Sequence, residues 1–292
     1  MKNLITCCLL LASTLVFADP IKIIVPYAPG GINDRISRFV QFALNDDGFK
    51  TTLEYKLGAG GFIAYNFVAK AHKETVIIAA SNGLTDGVDV GIAEYKLNDF
   101  TVVKHLGTMP AFVLVSGNHK AKTFQELTKQ NRVTYGSSGV GSGTHISAAI
   151  VGSTFGNFVH VPYKGQIQAL ADVLAERIDF LMESPIFADD YIKSGKLRPL
   201  ALLAPQRLKE YHNVPTLKEL GVTDYGYSRW FILVANKDAD PKDIEKIQRK
   251  LNSPKMINEL EALGLYYEKT TPLVLQDLSD NFLKIRQNVK FE

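Results

Sequence analysis

Short apolar runs alternate along this chain with stretches whose apolar residues recur at helical spacing, and that alternation restricts the fold more than any other feature. Val76-Ile77-Ile78-Ala79-Ala80 is apolar without interruption, the pattern of a strand covered on both faces in a parallel sheet. Ile21 to Val25 and Thr51 to Tyr55 read as strands before it. Between these runs, Ile36, Phe39, Val40, Ala43 and Leu44, and then Ile63, Phe67, Val68 and Ala71, keep the period of a helix. The middle of the chain repeats the plan. Strands are expected at Val133 to Gly136, Phe158 to Val161, Ile178 to Met182 and Leu200 to Leu203. Helical stripes fall at Ile146, Ala149 and Ile150 and at Ala169, Leu170, Val173 and Leu174. From Pro241 onward the pattern is helical. Strands alternating with helices predict an α/β fold.

Two apolar runs, Phe112-Val113-Leu114-Val115 and Trp230-Phe231-Ile232-Leu233-Val234, have no helical stripe on one side. They divide the chain into blocks 19–115, 116–229 and 230–292. A chain that enters a second lobe by one strand and leaves it by another gives a first lobe of 19–115 plus 230–292, a second lobe of 116–229 and a two-strand hinge. No repeat or low-complexity segment interrupts this plan.

The N-terminus stands apart from it. Met1-Lys2-Asn3 is a short basic start, Leu4 to Phe17 is almost uniformly apolar, and Val16-Phe17-Ala18 carries the small or branched residues that a signal peptidase reads. A run this short falls below the roughly 20 apolar residues of a membrane span. A cleaved export signal, residues 1–18 with cleavage after Ala18, is the expectation; a buried N-terminal helix is the other reading. Cys7 and Cys8 both lie inside the segment, so the mature chain is expected to have no disulfide, thiol chemistry or cysteine metal site. The net charge is only +3 and the Lys and Arg residues are scattered, which argues against a nucleic-acid or membrane patch. An exported monomer held by its core remains.

Two glycine-rich turns each follow a strand and open a helix: Val25-Pro26-Tyr27-Ala28-Pro29-Gly30-Gly31-Ile32-Asn33-Asp34, with the helix starting at Asn33 or Asp34, and Ser137-Ser138-Gly139-Val140-Gly141-Ser142-Gly143-Thr144. Each is expected to present unpaired N–H groups at the positive end of a helix dipole, where a carboxylate, sulfate or phosphate can dock. Gly30 and Gly31 would let a ligand oxygen reach the amides, and Ser137, Ser138 and Thr144 would add hydroxyls. Taken singly, each turn reads equally as a plain strand-to-helix connection; one in each lobe points to a ligand shared between them. Asn82, with Ser81 before it, ends a strand at the expected ligand edge of the sheet; the plain alternative is a cap. Tyr27 and Tyr163 each follow a proline and offer a hydroxyl or an aromatic wall. Arg229 could reach a ligand carboxylate or be a solvated hinge residue.

Other chemistries find little support. Gly139-Val140-Gly141-Ser142-Gly143 is not GxGxxG and no GK[ST] follows, so neither nucleotide fingerprint is present. Gly136-Ser137-Ser138-Gly139-Val140 would be a nucleophile elbow if Val140 were glycine, which leaves a secreted hydrolase using Ser138 or Ser137, with His145 or His160 as base and Asp179 as acid, as the competing class. The six histidines show no HxH, HxxH or HExxH pairing, so no metal or other cofactor is expected.

Taken in order, these segments resemble the substrate-binding proteins of tripartite tricarboxylate transporters, the TctC-like or Bug family. Val25 to Arg38 (VPYAPGGINDRISR) is similar to that family's PFxxGGxxD opening, and Gly58-Ala59-Gly60-Gly61 to its GAgG. Tyr135 to Ser142 matches ygSsGvGs, with His145 close behind, and Val161-Pro162-Tyr163-Lys164-Gly165 matches VPYkG. Val214-Pro215-Thr216-Leu217 with Glu219-Leu220-Gly221, and then Trp230-Phe231, continue the series. The resemblance implies a type II periplasmic-binding-protein fold, two α/β lobes closing on a small carboxylate like jaws. It implies a periplasmic receptor without catalysis that delivers its ligand to a membrane permease, or to a sensor. It places Tyr27, Gly30, Gly31 and Asn33 on one side of the ligand, Ser137, Ser138, Gly139, Val140 and Gly141 on the other, and Asp179 on the cleft wall. Di- and tricarboxylates, acidic amino acids, amides and aromatic acids such as nicotinate all belong to the ligand range. The chain departs from the pattern at Pro29, at Asn33 where Ser or Thr is common, at His72-Lys73-Glu74-Thr75, and at Trp230-Phe231-Ile232, which lacks a glycine.

Overall fold

A computed structural model of the chain describes residues 20–72, 74–89, 91–222, 229–266 and 275–286. The expected export signal, 1–18, lies outside the described residues. The first half of the chain lays down strand β1 (Ile21–Val25), helix α1 (Ile32–Asp46), β2 (Thr51–Tyr55), α2 (Phe62–Ala69), β3 (Val76–Ser81), α3 (Gly83–Asp89) and β4 (Phe100–Thr108). It then enters a second unit: β5 (Ala111–Ser116), α4 (Phe124–Thr128), β6 (Val133–Ser137), α5 (Gly143–Phe155), β7 (Phe158–Pro162), α6 (Gln166–Leu174), β8 (Phe180–Glu183), α7 (Pro185–Lys193) and β9 (Leu197–Leu203). It returns through β10 (Trp230–Asn236) and ends with α8 (Pro241–Leu251), α9 (Pro254–Ala262) and α10 (Leu275–Arg286).

Among the described residues, ten strands make two mixed sheets, ordered β2-β1-β3-β10-β4 and β7-β6-β8-β5-β9. In each, a parallel core carries one antiparallel strand from the far end of the unit: β10 beside β3 and β4, and β5 beside β8 and β9. Each sheet is buried on both faces, as the uninterrupted apolar runs require. Successive residues of a strand point to opposite sides. Ile23 and Ile77 therefore join Ile36, Val40, Leu44, Ile247 and Leu251 in one layer, while Ile24 and Ile78 join Tyr65, Val68 and Ile232 in the other. In the second sheet Val113 and Met182 face α5 through Val151, and Leu114 and Leu181 face α6 through Leu170 and Val173.

One expected boundary moves. Phe112 to Val115 was assigned by its pattern to the end of the first lobe, but Ala111–Ser116 is a central strand of the second sheet. Its partners are decided by β8 and β9, which come later in the sequence and which the run itself cannot indicate. The first crossing therefore falls between Thr108 and Ala111. There Met109 N–H donates to Arg229 O of the returning chain at 2.7 Å, and Thr108 pairs with Tyr266.

Candidate functional site

The parallel strands of both sheets end on a common cleft, lined from the first lobe by Tyr27, Ala28, Gly31, Ile32, Asn33, Ser81, Asn82 and Phe231, from the second by Ser138, Gly143, Thr144 and Gln166, and at the crossing by Arg229. This is where ligands sit in open α/β sheets, beyond the carboxyl ends of the strands. The free space amounts to about 490 Å³, part of it open to solvent.

The two glycine-rich turns face it in different states. After β1 the chain stops at Pro26, packs Tyr27 inward and turns at Gly30, whose φ of +88° suits glycine. Gly30 N–H donates to Asp34 Oδ2 at 2.9 Å, so this amide is used within the turn. Gly31 is the N-cap of α1, in extended conformation and with no side chain to cap the helix. Helix α1 begins at Ile32, a residue or two earlier than its apolar pattern indicated, and Gly31, Ile32 and Asn33 line the cleft with the first-turn N–H groups uncapped by any side chain. Asn33, 5% exposed, anchors the turn by donating Nδ2–H to Ala79 O at 3.0 Å.

The second turn is closed on itself. Ser138 N–H donates to Thr144 Oγ1, Gly139 N–H to Ser137 Oγ, Gly141 N–H to His145 Nδ1 and Ser142 N–H to Gly139 O. Ser142 caps α5 by accepting from His145 N–H. The expectation of free amides is therefore corrected for Ser138, Gly139, Gly141 and Ser142, whose N–H groups are satisfied within the loop by nearby side chains and backbone. What this turn brings to the cleft is Ser138 and Thr144, their hydroxyl oxygens 2.9 Å apart.

Gly139, Val140 and Gly141 do not line the cleft. They pack against the other lobe: a Cβ on Gly60 would lie 2.1 Å from Val140 O, and one on Gly141 would lie 2.7 Å from Phe62. Gly30 likewise falls outside the lining, near Ile167 of the opposite lobe. Tyr163 turns away and donates to Asp172 Oδ2 at 2.7 Å. Asp179 is at the wrong end of its sheet, where it accepts from Thr134 N–H and Oγ1–H at 2.7 Å and contacts His119 Nε2 at 3.2 Å. Thr134 is the second residue of β6, three residues before the ligand edge at Ser137, or about 10 Å along a strand. Tyr27 serves as wall; its hydroxyl donates to Gly60 O at 3.0 Å. Asn82 lines the cleft while its Oδ1 accepts from Trp230 N–H. Arg229 is no solvated hinge residue: it is 5% exposed and lines the cleft.

Gln166 was missed. It opens α6 directly after the Pro162-Tyr163-Lys164-Gly165 turn, a third strand-to-helix connection whose glycine was the available signal. Its Nε2–H donates to Met182 O at 2.9 Å and its Oε1 is buried without a partner.

The hydrolase arrangement does not assemble. Ser137 is fully buried against His160 Nε2, but Asp179 is engaged elsewhere, and Ser138 Oγ is bonded to a threonine hydroxyl. Burial, reinforced by neighbouring His145, pushes His160 down to about 3, and burial pushes His145 down to about 4. The two rings stack with centroids 4.0 Å apart, as packing partners behind the loop. Among the described residues no group of His, Cys, Asp and Glu could hold a metal ion, and no helix is long and apolar enough to cross a membrane.

Two α/β lobes, two crossings and a polar cleft between sheet ends define a two-lobe solute-binding protein. Residues 37–266 match the profile of the tripartite tricarboxylate transporter family receptor, and the chain belongs to this family of non-catalytic periplasmic receptors. It is 30% identical over 247 residues to the protein BugT of Bordetella pertussis, covering 80% of this chain and 76% of BugT. A solved structure of a periplasmic transporter, 28% identical, superposes with a TM-score of 0.81 over 94% of this chain and 98% of its own. MatC from Rhodopseudomonas palustris with bound malate, 22% identical, shares the fold with a TM-score of 0.81 over 93% of this chain and 99% of MatC.

Proposed function

We propose that this receptor works in the periplasm, after loss of residues 1–18, capturing a small organic acid between its lobes and passing it to the permease of a tripartite tricarboxylate-type transporter. The observation that carries the ligand class is the uncapped start of α1 inside the cleft. A 15-residue helix presents the equivalent of about half a positive charge there, together with N–H donors whose natural acceptor is a carboxylate. Ser138 and Thr144 face the same space from the second lobe and complete the enclosure. Closing the lobes removes water and strengthens charge-assisted hydrogen bonds, so binding acts as a shift of population from open to closed. The bound malate of MatC is consistent with a ligand of this kind.

Isothermal titration and thermal unfolding with malate, succinate, glutamate and the corresponding amides test the proposal. An acid at a hundred times its Kd stabilises by about 2.7 kcal/mol, and its amide should not. In Gly31→Val the new Cβ meets nothing nearer than Ala28 O at 3.6 Å, so the fold tolerates it while the side chain enters the cleft. Affinity should fall by about 100-fold or more, the scale of charge-assisted hydrogen bonds. Unchanged affinity in Gly31→Val would sink the carboxylate site.

A further inference from the structure

Arg229 stands where the chain leaves the second lobe for β10, and its main-chain oxygen is bonded to Met109 N–H of the outgoing crossing. Its side chain is 6% exposed, yet Nη1 has no hydrogen-bond partner. The facing carboxylate, Glu183 Oε1, is 3.9 Å from it and already accepts from Ser184 N–H at 2.7 Å. Glu183 thus lies close enough to offset the buried charge without accepting a hydrogen bond from Nη1. A guanidinium is a rigid fork of donors shaped for a planar anion. A buried donor left without an acceptor is costly, and a ligand that supplies the acceptor removes that cost.

We infer that Arg229 is a specificity-determining residue that receives a second anionic group of the ligand. The receptor then selects compact acids with two carboxylates over monoacids and half-amides. The inference rests on the reading of α1 as the site of the first carboxylate. Glu183 positions the guanidinium and limits its pull on the anion.

The test is titration of the purified protein with malonate, succinate, glutarate and adipate, and with the half-amide of each. The best diacid should bind about 30-fold more tightly than its half-amide, the range expected of one charge-assisted pair. Arg229→Gln should bring that ratio to within about threefold while the half-amide keeps most of its affinity. Arg229→Lys, which keeps the charge but loses the fork, should restore part of the preference. Glu183→Gln should raise diacid affinity, because a competing negative charge is gone. Thermal unfolding of each variant without ligand reports its folding. A merely structural Arg229 would weaken diacid and half-amide by the same factor, and that result overturns the inference. So does a wild-type protein that binds both equally well, although the α1 carboxylate site survives that outcome. Absence of binding by every acid removes both, and half-amide binding that Gly31→Val leaves unaltered counts against the α1 site alone.

Discussion

Asp34, the closing residue of the GGxxD pattern, ties the first turn together. Its carboxylate accepts from Gly30 N–H, from Tyr55 Oη–H at 2.5 Å and from Arg38 Nε–H at 3.0 Å, fastening turn, helix and neighbouring strand in one knot. Burial by itself would raise this carboxyl, but the hydrogen bonds from Tyr55, Gly30 and Arg38 hold it below the usual carboxylate range. A depressed folded-state value means stability that is present above the unfolded-state value of about 4 and is lost as pH falls through the lower folded one. Asp34→Asn should therefore cost about 1–3 kcal/mol at pH 7. The difference from wild type should shrink as pH falls below 4 in urea titrations, and a gap that does not narrow at all would contradict this account. The glycines were visible in the sequence as a docking turn. Asp34 was visible as the end of that pattern, but its fastening role was not, because its partner Tyr55 arrives only through the β1–β2 pairing.

Helices α1 and α5 open with similar-looking glycine turns and end up with opposite chemistry, which is a property of the whole element. A glycine N-cap leaves α1 unfilled, whereas Ser142 fills the start of α5. Composition alone could not distinguish them, since the path of the second loop depends on Gly139 and Gly141 at φ of +119° and +75°. Behind that loop lie two histidines, His145 of α5 and His160 of β7. Held down to about 4 and about 3, chiefly by burial, His145 and His160 stay neutral in the folded chain but take up protons in the unfolded one near pH 6.5. More protons are then bound by the unfolded state, so stability falls as pH drops from about 6.5 towards 4. His105, buried and also lowered to about 4, adds to the same trend. Urea midpoints at pH 7 and pH 5 should show this loss, and His160→Gln should show a smaller one. An equal slope in the variant would remove His160 from the account. Strand β4 was not recognised from its sequence, because Lys104 interrupts its apolar pattern; the structure buries Lys104 and pairs Nζ with Asn252 Oδ1 at 2.6 Å.

At the scale of the molecule the lobes meet through backbone and small residues. A Cβ on Gly165 would sit 3.0 Å from Ala28 Cβ across the cleft, Val140 O presses on Gly60, and Arg35 lies over the Phe187 ring at 5.6 Å. Gly165 has extended φ, so a side chain there is free of backbone strain; besides the movable end of Gln168 in its own lobe, it meets Ala28 of the other lobe. Gly165→Leu should hold the lobes apart. Small-angle scattering should give a larger radius of gyration with an unaltered far-UV spectrum, and acid binding should be lost; an unchanged radius would refute the role of this contact. Gly60→Ala, blocked by a 2.1 Å approach, should weaken acid binding by about tenfold or more in titration, as a cost of a few kcal/mol on closure requires. The two-lobe plan was legible because strand–helix alternation breaks at two places, yet which sheet Phe112 to Val115 would join was not, since an apolar strand carries no label for its partner. The crossing has one more consequence. Every strand of the second sheet lies within 111–203, whereas among the described strands β4 pairs with β10, which follows the whole of that lobe. A chain emerging from its N-terminus can therefore finish the second lobe while the first still has a gap at its centre. The finished lobe, its ends joined at Met109 and Arg229, then serves as a folded spacer that shortens the search for that gap. The strand made last fills the middle of the lobe begun first.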